Sequence, residues 1–109
     1  MLVKNKNVTA TPEILKRKLG AEYLVPVTVA ESEFASVDVV KAGSPIGADG
    51  TIQNGADAVG ILLNDVYKEN PNGSLVKAFA VINLANAEAN SGLTIDGAVK
   101  TALATVIFE

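Results

Sequence analysis

Four aspartates, Asp38, Asp49, Asp57 and Asp65, are the side chains in this chain best suited to chemistry. Paired carboxylates can share general-acid and general-base work when their surroundings push their pKa values apart. Three of the four stand at turns or strand ends, where aspartate commonly bonds its own backbone. A second candidate is the glycine spacing in Gly43-Ser44-Pro45-Ile46-Gly47-Ala48-Asp49-Gly50, which invites comparison with a phosphate-cradling loop. Such a loop requires a following Gly-Lys-Ser/Thr at a helix start, and neither follows here. The Asp-Gly content also suggests calcium, but the EF-hand spacing and its closing glutamate are missing. The chain has no cysteine and no histidine. That excludes disulfides, Cys/His zinc sites, thiol nucleophiles and imidazole acid–base chemistry. The expectation is a non-enzymatic protein with no catalytic residue, no metal and no cofactor.

The elements that hold these residues are short and turn-rich. At 109 residues the chain is long enough for one domain with a modest core. That core must be aliphatic, because the sequence has no tryptophan, three phenylalanines and two tyrosines. No apolar run reaches the roughly 18 residues a membrane helix needs, so no membrane is expected. The first residues lack the apolar block of a secretory signal, and nothing argues for export.

Charge is unevenly placed within a net of −3. Lys4, Lys6, Lys16, Arg17 and Lys18 outweigh Glu13, so the first nineteen residues carry +4. The remainder sets four lysines against eleven acids and carries −7. A basic arm on an acidic body suits an acidic partner surface. Nucleic acid is disfavoured, since the body would repel phosphate and no aromatics interleave the basic residues.

Residues 1–10 read as a flexible basic arm and residues 11–109 as a single β-rich domain. Thr11-Pro12-Glu13 resembles a helix start, which predicts a short helix over 13–19 closed by Gly20. Tyr23, Val25, Val27 and Val29 alternate along a strand over 22–29, with Pro26 implying an edge. Residues 30–36 read as a loop, and Val37 and Val39 resume the alternation. Gly43 and Pro45 mark a turn, Asp49-Gly50 a hairpin, and Asn54-Gly55 repeats that signal. The apolar run over 58–66 reads as a strand buried on both faces, with Gly60 at a bulge or close backbone approach. A polar loop over 68–73 precedes a second long strand over 74–84, with Leu75, Val76, Phe79, Val81 and Leu84 available to the core. Residues 85–92 read as a loop or helical turn. Asp96 caps a last helix reaching about Thr105, and 106–108 form a short strand or plug. The fold class is mainly β (α+β): a turn-rich β domain or small barrel with an N-terminal and a C-terminal helix. Gly43, Pro45, Gly50 and Gly60 are its structural turn residues.

The order of these segments carries a family resemblance. An aliphatic pair before Ala42-Gly43-Ser44-Pro45, an Asp-Gly turn, Ala58-Val59-Gly60 with its aliphatic strand and Asp65-Val66, and a strand ending near Ile82-Asn83 resemble the head decoration proteins of tailed bacteriophages. Lambda-like decoration proteins and the related head-fibre proteins share this order. The resemblance implies a structural virion protein on the outer capsid surface, made in the host cytoplasm. Its partner would be the major capsid protein, which it stabilises in expanded form, often as a homotrimer at local three-fold positions. It also implies a capsid-binding role for the N-terminal arm, including Lys4, Lys6 and Val8. The alternative is a small β-clip carbohydrate- or ligand-binding module, in which Val40-Lys41-Ala42-Gly43-Ser44-Pro45-Ile46 would again form a turn before a strand. An acid–base enzyme is the third reading.

Overall fold

The computed structural model describes residues 13–17 and 19–109. Nine strands fall among them: β1 (Leu15–Arg17), β2 (Tyr23–Thr28), β3 (Val39–Val40), β4 (Pro45–Gly47), β5 (Ala58–Leu62), β6 (Val66–Tyr67), β7 (Asn72–Ala78), β8 (Ala80–Ile82) and β9 (Val106–Phe108). Two helices, α1 (Leu84–Ser91) and α2 (Gly97–Ala102), lie between β8 and β9. The strands form a four-stranded sheet ordered β2-β7-β5-β4, a three-stranded sheet ordered β1-β8-β9, and the pair β3-β6. The fold is mainly β with two short helices, as the alternation predicts, and the sheets do not close into a barrel.

The continuous apolar run of β5 has a direct cause. Ile61 pairs with Val76 and Leu62 with Leu75, so neighbouring residues project to opposite faces of the four-stranded sheet. Ile61 and Val76 join a core with Ile82, Ala87, Ile95, Val99 and Leu103, beneath the helices. Leu62 and Leu75 join a second core with Val29, Phe34, Val40, Ile46 and Val66. A strand covered on both sides cannot alternate apolar with polar residues. Each of these large side chains contributes roughly 1.5–3 kcal/mol by burial. Pro26 lies on β2, the edge of its sheet, as the missing N–H requires.

Several expectations need correction. The described residues of the segment expected as a helix over 13–19, residues 13–17 and 19, are not helical. Leu15–Arg17 is an extended strand paired antiparallel with β8. A two-turn helix has little stability of its own. Here β8 offers a sheet edge instead, Asn83 N–H donates to Ile14 O at 2.7 Å, and Ile14 is buried. The long strand expected over 74–84 is two strands. Phe79 interrupts them with φ +58°, swinging the chain from one sheet into the other. Its ring is therefore 55% exposed and contributes little to the core. Leu84 opens α1 because Asn83 caps it, its side chain accepting from Asn86 N–H at 3.1 Å. Gly92, at φ +76°, closes α1, so residues 85–92 belong to a helix and its stop. The strand from Ala58 ends at Leu62, where Asn64 and Asp65 turn the chain into β6. The loop over 30–36 contains a 3-10 turn at Glu31–Phe34, whose Phe34 fills the second core.

Asp96 does cap α2, accepting from Ala98 N–H at 3.0 Å, and 106–108 do form a strand, parallel to β8. The helix stops at Ala102, short of the Thr105 expected, and Ala102 itself is exposed.

Candidate functional site

The four turn residues lie in and around β4 and β5, each against a different neighbour. Gly43 sits beneath α1 with φ +95°, and its N–H donates to Leu62 O at 2.7 Å. A Cβ on Gly43 would lie 2.6 Å from Ala87 O and 2.7 Å from Ala87 Cα. Pro45 is buried at the start of β4. Gly50 has φ +82°, and a Cβ there would collide with Thr28 O. Gly60 has an ordinary φ and serves close approach, since a Cβ would meet Val76 O at 2.9 Å. Lys4, Lys6 and Val8 lie outside the described residues.

The aspartates are held apart in separate local tasks. Asp65 is the most enclosed. Its Oδ1 accepts from Ala42 N–H at 2.8 Å and from Asn90 Nδ2 at 3.1 Å. Asn90 Nδ2 also donates to Ala42 O at 2.9 Å, and Lys41 Nζ stands 3.8 Å from Asp65 Oδ2. Asp65 thereby ties the Ala42-Gly43 turn to α1. The sequence marks Asp65 as a turn residue and misses this link, because Asn90 lies 25 positions away. Asp38 accepts through its backbone carbonyl from Lys68 N–H at 3.0 Å.

Asp49 folds back on its own hairpin. Thr51 Oγ1 donates to its carboxylate at 2.6 Å and Thr51 N–H at 3.1 Å. These bonds, the hydroxyl's first, hold the Asp49 carboxyl below the usual aspartate range. That direction is opposite to what a general acid or base needs near neutrality. Asp49 and Asp57 do border one shallow depression with Gly47, Ala48 and Gln53. Among the described residues, no three carboxylates converge as a metal site would require.

The lowered Asp49 pKa fixes the sign of a pH effect. The carboxylate favours the folded state when ionised, so its contribution is present above the unfolded pKa and fades as pH falls through the folded one. Asp49→Ala is expected to lower the melting temperature slightly at pH 7. The difference from wild type should shrink as pH is lowered from 7 through the folded-state pKa of Asp49. Thermal melts across this range check it.

Asn54 makes a second long-range clamp. It donates through Nδ2 to Thr94 O at 2.8 Å and accepts through Oδ1 from Asp96 N–H at 2.9 Å. This fastens the second turn to the segment that caps α2. Asn54→Ala is expected to cost about 1–2 kcal/mol in urea unfolding, the net worth of two such bonds.

Lys16 and Arg17, the basic residues among the first nineteen that are described, are both engaged within the body. Lys16 Nζ lies 3.7 Å and Arg17 Nη1 3.1 Å from Glu109 Oε1. Their charge helps align β1 with the segment following β9.

The surface also carries features that alternation does not reveal. Leu19, Tyr23, Leu24, Phe79 and Ile107 are each about half exposed, as are Val37 and Tyr67. Both tyrosines lie off the 43–55 turns, on β2 and β6. In the described region, then, the turn residues and Asp65 form a bracing system, Asp49 steadies its own hairpin, and seven apolar side chains stay about half exposed. No protein-family model matches the chain, and no curated protein matches it at a significant level.

Proposed function

We propose that this is a structural virion protein that binds the outer surface of an expanded tailed-phage capsid and stabilises it. Its partner is the major capsid protein, and the bound form is a homotrimer. One observation carries the reading. The segment that resembles the decoration proteins folds as a single braced unit, with the Gly43 turn locked between Leu62, Asp65 and α1. Ordered polar side chains there support turns. A shell-binding module has need of such rigidity, because a ligand shifts an equilibrium only by its differential affinity for two states. Residues 1–10, with Lys4, Lys6 and Val8, serve as the attachment arm. A segment ordered on a partner's exposed strand edge gains backbone hydrogen bonds there.

The test is co-sedimentation with expanded and precursor shells, followed by DNA retention under heat or chelator stress. Micromolar binding, worth roughly 8 kcal/mol per subunit, is expected on expanded shells only. Removing residues 1–10 should leave folding intact and abolish binding. Saturation of shells by the trimmed protein would exclude the arm. Equal DNA loss with and without bound protein would exclude stabilisation.

A further inference from the structure

Two asparagines in the described chain, Asn54 and Asn72, are followed by glycine. Such a pair carries chemistry of its own. The glycine amide nitrogen can attack the asparagine side-chain carbonyl, because no Cβ crowds the approach and the glycine backbone turns freely. The other described asparagines precede residues with side chains, and Pro71, after Asn70, has no N–H to give.

The fold treats the two pairs differently. Asn72 opens β7 opposite Thr28, and Gly73 stands opposite Val27. Thr28 Oγ1 donates to Asn72 Oδ1 at 2.9 Å, and Asn72 Nδ2 donates to Asn70 Oδ1 at 3.1 Å. β7 lies between β2 and β5, and a Cβ on Gly73 would stand 2.6 Å from Val66 Cγ2. The Gly73 nitrogen therefore reaches the Asn72 side chain only if that end of β7 leaves the sheet.

Asn54 and Gly55 belong to no strand. A Cβ on Gly55 would meet nothing within 4 Å, and among the described residues its N–H carries no hydrogen bond. Both residues are half-buried, so water reaches them. The Asn54 side chain is held by its clamp, Nδ2 donating to Thr94 O and Oδ1 accepting from Asp96 N–H. Two bonds of that kind favour the closed clamp about five- to thirtyfold over the open one. A turn held so lightly opens far more often than a paired central strand.

We infer that Asn54–Gly55 is a self-modifying site, at which Asn54 turns into aspartate and isoaspartate in the folded protein and unfastens residues 94–96 for good. When the clamp opens, base takes the Gly55 N–H proton and the nitrogen attacks Asn54 Cγ. The N–Cγ bond forms, the Cγ–Nδ2 bond breaks, and ammonia leaves with the proton returned to it. Water then opens the cyclic imide. Attack at Cγ gives aspartate. Attack at the Asn54 backbone carbonyl carbon gives isoaspartate, whose main chain runs through Cβ and Cγ. Nothing is oxidised or reduced: amide and water become carboxylate and ammonium. The product does not rebuild the clamp, because Thr94 O has lost its donor and the new group is a negatively charged acceptor. Ile95, between the two clamp points, is buried in the core beneath the helices, so the release loosens that core as well.

The full chain is aged in mildly alkaline buffer, folded and in urea, and residues 54 and 72 are followed by peptide mapping. In urea the two asparagines are expected to convert within about threefold of each other, since both precede glycine in an open chain. In the folded protein Asn54 is expected about five- to thirtyfold slower than in urea, and Asn72 at least about tenfold slower than Asn54. Heavy-oxygen water should place its label at residue 54, and Gly55→Ala should slow the conversion by the bulk of its Cβ. The isoaspartyl form, separated by anion exchange, should unfold at lower urea than the unaged protein. A folded Asn54 rate more than about a hundredfold below its urea rate would make the clamp a lock and overturn the inference. Equal folded rates at 54 and 72 would overturn the assignment to this turn, and an unslowed Gly55→Ala protein would overturn the imide route. An isoaspartyl protein with the unaged midpoint would overturn the release of residues 94–96.

Discussion

Gly43→Val is expected to leave the protein unfolded or close to it at 25 °C. Two independent effects act together. A β-branched residue at φ +95° pays the left-handed penalty, on the order of 1–2 kcal/mol or more. Its Cβ would also stand 2.6 Å from the Ala87 carbonyl oxygen, and the obstacle is helix backbone. Moving α1 away would break the Asn90 bonds to Ala42 and Asp65 and open the core around Ala87. A loss above about 4 kcal/mol is a large share of the 5–15 kcal/mol typical of a domain. Urea unfolding followed by circular dichroism measures it. Gly55→Ala is the control, since a Cβ there meets nothing within 4 Å, and it should shift stability by less than about 0.5 kcal/mol. A Gly43→Val protein with a wild-type midpoint would show that α1 does not depend on this turn.

Asp65→Ala is expected to cost about 2–4 kcal/mol, and Asp65→Asn much less. Alanine removes the acceptor for Ala42 N–H, and Ala42 is fully buried. A buried donor left without a partner costs about 1–3 kcal/mol. The lost Asn90 bond adds about 1 kcal/mol more. Asparagine keeps an oxygen for both donors and gives up only the attraction to Lys41, a half-exposed pair worth little. Asp57→Asn should be neutral in the same assay, because Asp57 is exposed at its turn. If Asp65→Ala and Asp57→Asn unfold at the same urea concentration, the bracing role assigned to Asp65 is wrong.

Much of the architecture was legible in the residues. Alternation located β2, the unbroken apolar run located β5, and the Asp96 cap located α2, because each rests on local chemistry. The Gly43 turn was legible too, but its reason was not. The close contact with Ala87 joins segments far apart in sequence. The failures share a cause. Thr11-Pro12-Glu13 carry the start signals of a helix, and tertiary pairing of Leu15–Arg17 with β8 overrides them. Residues 74–84 alternate well enough to suggest one strand, and nothing local predicts a sheet change at a phenylalanine with positive φ. The aspartates were recognisable as turn residues, whereas the Asp65–Asn90 link exists only once distant segments are brought together.

The placement of β8 has a consequence for how the chain reaches its folded state. Its neighbours are β1, from the beginning of the described chain, and β9, from its end. Neither pairing is a hairpin, so each must close a long loop before any contact compensates for the lost chain entropy. While a nascent chain still lacks residues 106–108, one edge of β8 has no strand to pair with, and the core beneath the helices lacks Val106. The four-stranded sheet and the β3-β6 pair can assemble from residues 23–78 alone. Synthesis from the ribosome would then deliver a structured middle first, with the outer sheet zipping shut only after the last strand is released.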